Sequence, residues 1–225
     1  MLSSSTSGSS FSVASFFFLD GGIERVIHTT RHQLEAHKDD DDYAMLMVDM
    51  ANAFNSASRR RMRQLVARQH PWLSPWVEYC YARPSDLQHY DDVVPSQEGT
   101  QQGDPLGPFL FAMVLQLVVR VLQEDPSLGH NMWYLDDGTL GGKASALEKA
   151  MHILSSVKAK NLGLTVQPDK CWLVYPRRTA VLEVDAGTPS LHERLGITAD
   201  HVVYDGDHEC LGSPIGTPAH CAAFL

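Results

Sequence analysis

Two adjacent carboxylates, Asp136 and Asp137, follow the apolar approach Met132-Trp133-Tyr134-Leu135 and precede Gly138-Thr139-Leu140. Side-by-side carboxylates repel each other unless something positive holds them, so the pair invites a divalent cation. The pair also constrains shape, because a turn is where two charges stay solvated or face a cleft. The segment therefore predicts strand, tight turn at Asp136-Asp137-Gly138, strand. A third carboxylate, Asp49, closes the continuous apolar run Ala44-Met45-Leu46-Met47-Val48. That run has strand length and reads as a buried central strand with its carboxylate at the exit.

The rest of the chain supplies elements that can flank such strands. Ile23, Val26, Ile27 and Leu34 fall on one helical face, fading into the charged run Lys38–Asp42. Ser56 or Ser58 is placed to cap a helix over Arg59–Gln69 that stops before Pro71, and Trp72–Ala82 reads as a second helical piece. Pro84–Ser96 predicts a loop or hairpin. Gly99–Pro108 is too rich in Gly, Gln and Pro for a regular element and leads into the apolar stretch Phe109–Leu122, predicted as a buried helix. Ala144–Leu162 predicts one helix, with Leu147, Met151, Leu154 and Val157 apolar. Leu164–Val166, Cys171–Tyr175 and Ala180–Val184 are strand candidates, and the chain from Gly187 is weakly patterned.

Bulk properties exclude some classes. At 225 residues the chain is long enough for a substantial core, and no stretch approaches a membrane span. The net charge of −9 is unusual for a partner of nucleic acid, but it is an average: Asp39–Asp42 is an acidic run, whereas Arg59, Arg60, Arg61, Arg63 and Arg68 make one short stretch basic. That basic stretch is read first as a solvated helix face. Cys80, Cys171, Cys210 and Cys221 form no CxxC pair, which fits a reducing compartment. His208, Cys210, His220 and Cys221 match no common zinc spacing. The first twenty residues are Ser-rich and lack a basic n-region, so they read as a disordered leader and not as a secretory signal. An intracellular location, nuclear or cytoplasmic, is the expectation.

Metal-assisted phosphoryl transfer requires carboxylates converging on two cations about 3.5–4 Å apart. Asp49 and Asp136 meet that need if their strands are neighbours in one sheet. The wording around them resembles reverse transcriptases of retrotransposons that lack long terminal repeats. Asp49-Met-Ala-Asn-Ala-Phe54-Asn55 is similar to motif A of that family. Gly99-Thr-Gln-Gln102-Gly103-Asp104-Pro105-Leu-Gly-Pro108 is similar to motif B, and Tyr134-Leu-Asp136-Asp137 to motif C. Gly21-Gly22-Ile-Glu24 resembles the segment upstream of motif A, Asn161–Lys170 resembles motif D, and Leu211-Gly212-Ser-Pro-Ile-Gly216 resembles motif E, the primer grip.

The resemblance implies an α+β fold, a reverse-transcriptase palm whose antiparallel sheet is flanked by helices, with incomplete fingers. It implies a leader over 1–20, a partial polymerase domain over 21–216 and a tail over 217–225. Asp49 and Asp136 would be the main metal ligands with Asp137 in support, holding two Mg2+ ions or Mn2+ in their place. Phe54 would be the steric gate that excludes a ribose 2′-hydroxyl. Gln102 and Gly103 would contact nucleotide and template, and Lys170 would protonate the pyrophosphate. The implied partners are an RNA template, a DNA primer and deoxynucleoside triphosphates, with no membrane. The alternative is an inactive retrotransposon remnant that binds nucleic acid weakly at most, since no Lys or Arg precedes Arg25 to grip a triphosphate.

Overall fold

The structure, a computed structural model, describes residues 21–177 and 189–224. The Ser-rich leader and the strand expected at Ala180–Val184 lie outside the described residues.

The described residues open with helix α1 (Gly22–Ala36) and strand β1 (Tyr43–Val48). Short helix α2 (Ala53–Ser56), helices α3 (Arg59–Gln69) and α4 (Ser74–Tyr81), and a hairpin of β2 (Ser85–His89) and β3 (Asp92–Ser96) follow. Next come the long helix α5 (Gly107–Gln123) and strands β4 (Leu128–Tyr134) and β5 (Asp137–Lys143). Helices α6 (Ala144–Leu154) and α7 (Val157–Lys160) lead to β6 (Trp172–Val174). The last part holds α8 (Leu191–Leu195), β7 (Val202–Val203), β8 (His208–Cys210), β9 (Ser213–Ile215) and α9 (Pro218–Ala223).

The central sheet has five strands in the order β4-β5-β1-β6-β7. Every pairing is antiparallel except β6 with β7, which is parallel. The apolar run that ends at Asp49 is thus central, and its composition follows from burial on both faces. Tyr43, Met45 and Met47 pack with Val26, Ile27 and Leu34 of α1 and with Val174, Cys210 and Ile215. Ala44, Leu46 and Val48 face the larger core of Leu110, Phe111, Leu147 and Leu173. The period of two assigns alternate residues to the two cores, so a slip of one residue would exchange them. Leu46 is fully buried, a contribution of ~2 kcal/mol from that side chain alone.

Several expectations need revision, among them the strand at Leu164–Val166, where only Val166 forms an isolated bridge with Met50. The helix expected over Ala144–Leu162 breaks at Ser155-Ser156. Ser156 accepts from Ala159 N–H at 3.2 Å and so starts a new helix. The Arg59–Arg68 stretch is not uniformly solvated. Ser58 caps α3, but Arg59 is 4% exposed, and its guanidinium donates to the carbonyls of Gly99 (2.8 Å) and Ser96 (2.6 Å) and to Ser96 Oγ. Arg59 therefore clamps the approach to motif B. The weakly patterned end of the chain folds into the small β8–β9 ladder and α9, and β8 and β9 help cover the α1 side of the sheet.

One buried group gives the fold a pH dependence. His130 in β4 is 4% exposed, its Nε2 lies 2.9 Å from Thr139 Oγ1, and burial pushes its pKa down to about 4. A depressed folded-state value means the unfolded chain takes the proton first. The stability is complete above about pH 6.5 and is lost as pH falls towards 4. Between pH 6.5 and 5 the expected loss is about 2 kcal/mol. Thermal melts of the wild type should therefore show this loss over the window, whereas His130→Gln should be free of it. A His130→Gln profile parallel to that of the wild type would reject the assignment.

Candidate active site

Asp49 leaves β1 at the point where the β1–β5 register pairs Val48 with Gly138. One further step of the same register sets Asp49 opposite Asp137, and directly opposed residues bring their Cβ atoms to roughly 4.5–5.5 Å. The backbone of Asp49 is held on both sides. Its N–H donates to Cys171 Sγ at 3.4 Å, and its carbonyl accepts from Gln167 N–H at 2.9 Å. Burial pushes the Cys171 thiol up to about 11, so it stays protonated and donates to the Gln167 carbonyl.

The hairpin turn falls one residue earlier than its Asp-Gly wording suggests. Tyr134 pairs with Asp137, so the loop is Leu135-Asp136, and Leu135 takes φ 56°. A bulky residue in the left-handed region carries strain of roughly 1–2 kcal/mol. The strained turn puts Asp136 at its tip and makes Asp137 the first residue of β5. Burial, then the charge of Asp49, raises the pKa of Asp136. Burial, then the charges of Asp136 and Asp49, raises that of Asp137 to about 6.

Motif A and motif B residues wall one cleft of about 460 Å3. Asn52, Phe54, Gln102, Gly103, Asp104 and Asp136 line it. Phe54 is fixed from beneath by Phe111 of α5, with ring centroids 4.5 Å apart. Its carbonyl accepts from Thr100 N–H at 2.7 Å, which ties the two motifs together. The motif B turn is held by Asp104, whose carboxylate accepts from Leu106 N–H at 2.9 Å and from the Tyr81 hydroxyl. A second cleft of about 490 Å3 opens on the other side of the carboxylates, lined by Asp49, Asp137, Lys170, Trp172, His208 and Gly212. The structure thus divides the expected residues. Asp136, Phe54, Gln102 and Gly103 share one cleft, and Asp49, Asp137 and Lys170 share the other.

Among the described residues no three His, Cys, Asp or Glu side chains close on a point as an all-protein metal cage. None of the three carboxylates has an ion-pair partner among the described residues. Their mutual repulsion and partial burial leave negative charge that an added cation would neutralise. The donor set therefore fits divalent metal.

Several supporting residues escaped sequence reasoning. Phe111 is one apolar residue among many in α5, and nothing in its neighbourhood marks it as the floor under Phe54. The Tyr81–Asp104 bond and the Arg59 clamp join segments whose pairing has no local signal. The positive φ of Leu135 has no propensity behind it either.

The family described as reverse transcriptase (RNA-dependent DNA polymerase) matches residues 8–204. The retrotransposable element SLACS 132 kDa protein of Trypanosoma brucei gambiense is 26% identical over 179 residues, which is 76% of this chain and 14% of that protein. Among solved structures, telomerase from Candida albicans in complex with a fragment of telomeric RNA aligns with a TM-score of 0.56 at 11% identity, over 86% of this chain and 32% of that one. Apo telomerase from Candida tropicalis gives 0.56 at 12% identity, over 88% and 35%. At these identities the telomerases are similar in fold. The chain spans about one seventh of the curated relative and about one third of the telomerases. No helix among the described residues is long and apolar enough to cross a membrane.

Proposed function

Because this chain belongs to the reverse transcriptase (RNA-dependent DNA polymerase) family, we propose that it carries the palm of an enzyme that copies RNA into DNA. In this reading deoxynucleotides are added to the 3′ end of a DNA primer on an RNA template. The observation that carries the reading is Asp136 in the cleft walled by Phe54 and the Gln102-Gly103 turn, with Asp49 and Asp137 beside it on β1 and β5, close enough for their charges to act on one another.

Asp49 and Asp136 are the principal holders of the divalent ions in this proposal, with Asp137 in support. When bound, two Mg2+ ions supply a lowered pKa for the attacking 3′-hydroxyl and charge stabilisation for the pyrophosphate. Phe54, braced by Phe111, lies under the sugar and leaves no room for a 2′-hydroxyl. Gln102 and Gly103 seat the nucleotide against the template from the motif B turn. Lys170, exposed and without an ion pair among the described residues, is the proton donor to the leaving pyrophosphate. The compartment in which this happens is expected to be intracellular.

Incubation of the chain with a DNA primer on an RNA template, deoxynucleotides and Mg2+ should extend the primer. Duplex binding without extension, in Mg2+ and in Mn2+ alike, would instead favour the inactive remnant. Phe54→Ala should raise ribonucleotide use relative to deoxynucleotide use by about 10-fold or more. An unchanged ratio, measured by competing the two sugars in one extension assay, would remove Phe54 from the gate.

A further inference from the structure

We infer that the outer face of the α3–α4 pair is a docking surface for single-stranded RNA, separate from both clefts. Residues 59–83 hold six arginines against one carboxylate, Glu78, in a chain whose net charge is −9. That carboxylate is already engaged, because Arg63 Nε and Nη2 donate to it at 2.9 and 2.5 Å. The Arg63–Glu78 pair and the Arg59 guanidinium, 5.3 Å from the Tyr81 ring centroid, set α4 beside α3 in the opposite direction. Both helices bury one stripe in the same core: Met62, Leu65 and Val66 from α3, Val77 and Tyr81 from α4. Their opposite faces therefore share one solvent-facing side.

On that side stand Arg60, Arg61 and Arg68, all exposed, with no ion pair among the described residues. Beside them are three aromatic rings in positions normally reserved for polar residues. Trp72 is 77% exposed, Trp76 54% and Tyr79 84%. Trp76 and Tyr79 are three residues apart on α4 with their rings 6.1 Å apart, and Trp72 lies in the short 3-10 turn Pro71–Leu73 that leads into α4. None of these residues lines either cleft.

Charge complementarity names the occupant. Arginines without an ion pair on one helix and exposed rings on the next match an unpaired polynucleotide, whose phosphates take the guanidiniums and whose bases stack on the rings. A protein partner would need acidic groups to answer three arginines that have no ion pair among the described residues. The inner side of α4 is linked to the motif B turn, where the Tyr81 hydroxyl donates to Asp104 and accepts from Gln101 N–H at 3.2 Å. An RNA strand on this face therefore lies on elements that also hold the nucleotide cleft. The choice of RNA over other polyanions rests on the polymerase reading; the surface itself does not.

The test is binding of a labelled oligouridylate to the full chain without metal or nucleotide, followed by anisotropy and by quenching of tryptophan emission. The double variant Trp76→Ala/Tyr79→Ala should bind about 10- to 100-fold more weakly, with Tyr79→Phe close to wild type. Arg60→Gln/Arg68→Gln should lower the slope of log affinity against log salt by about 0.7 per lost phosphate contact. Melting temperatures should not move, since these side chains are exposed. Unchanged affinity in the aromatic variant overturns the proposal, as does a shift from dimer to monomer with RNA binding intact, which would mark the face as a contact between copies. Because no catalysis is read, aromatic-dependent RNA binding in a chain that never extends a primer would sustain this inference while the polymerase reading fell.

Discussion

Asp136→Asn should lower primer extension by about 1,000-fold or more and at the same time raise the melting temperature of the metal-free protein. The first effect follows from the role proposed for this carboxylate. Charge stabilisation by a preorganised site is worth several kcal/mol in the transition state, and asparagine offers a metal only a neutral oxygen. The second follows from what the folded chain tolerates without metal. Asp136 sits half-buried at the tip of a strained turn, and burial and the Asp49 charge both raise its pKa. Asparagine removes the charge while keeping the shape, so the folded state gains at neutral pH. Mg2+ should then raise the melting temperature of the wild type and do so much less for the variant, because only a ligand bound to the folded state shifts the equilibrium. The pair of readouts separates a metal holder from a structural residue: a structural Asp136 would lose stability along with activity. A variant that melts lower and responds to Mg2+ as the wild type does would remove Asp136 from the metal site.

How much of this was legible in the sequence varies with how local the cause is. β1 was readable because burial on both faces leaves an uninterrupted apolar run, and Asp49 was readable as its exit. Motifs A, B and C together carried the family, and the antiparallel palm sheet was what that resemblance implied. The turn at the Asp136-Asp137 pair was misplaced by a local rule that competes with packing. Asp137-Gly138 reads as a turn dipeptide, yet Gly138 lies within β5, and a Cβ there would come within 2.7 Å of the Trp133 ring. The glycine serves close approach by the buried indole, and the turn moves to Leu135-Asp136. Arg59 was misjudged for the opposite reason. Its neighbours in sequence are solvated arginines, while its partners, the carbonyls of Ser96 and Gly99, lie nearly forty residues away. The division of the expected residues between two clefts also had no sequence signal.

Gly163→Ala should cost about 3–5 kcal/mol and lower the melting temperature by about 10 °C or more. The residue lies in the turn after α7, at φ 76°, and a Cβ there would stand 1.8 Å from the Ser56 carbonyl oxygen and 2.6 Å from its carbon. Both are backbone atoms, so no side-chain rotation relieves the overlap. The contact is also where two loops are stitched together: Ser56 Oγ donates to the Gly163 carbonyl at 2.7 Å, and Ser58 N–H donates to the Leu162 carbonyl at 2.9 Å. Separating them displaces the loop between α2 and α3, and with it Phe54. Surviving activity should therefore show a raised KM for deoxynucleotides as well as reduced yield of folded protein. Gly212→Ala isolates the backbone term, since Gly212 has φ 73° but nothing within 4 Å of its Cβ position. That control should lose only the cost of left-handed backbone, roughly 1–2 kcal/mol. Equal melting temperatures for the two variants would show that the Ser56 loop yields, and that the seat beneath Phe54 does not depend on the turn at Gly163.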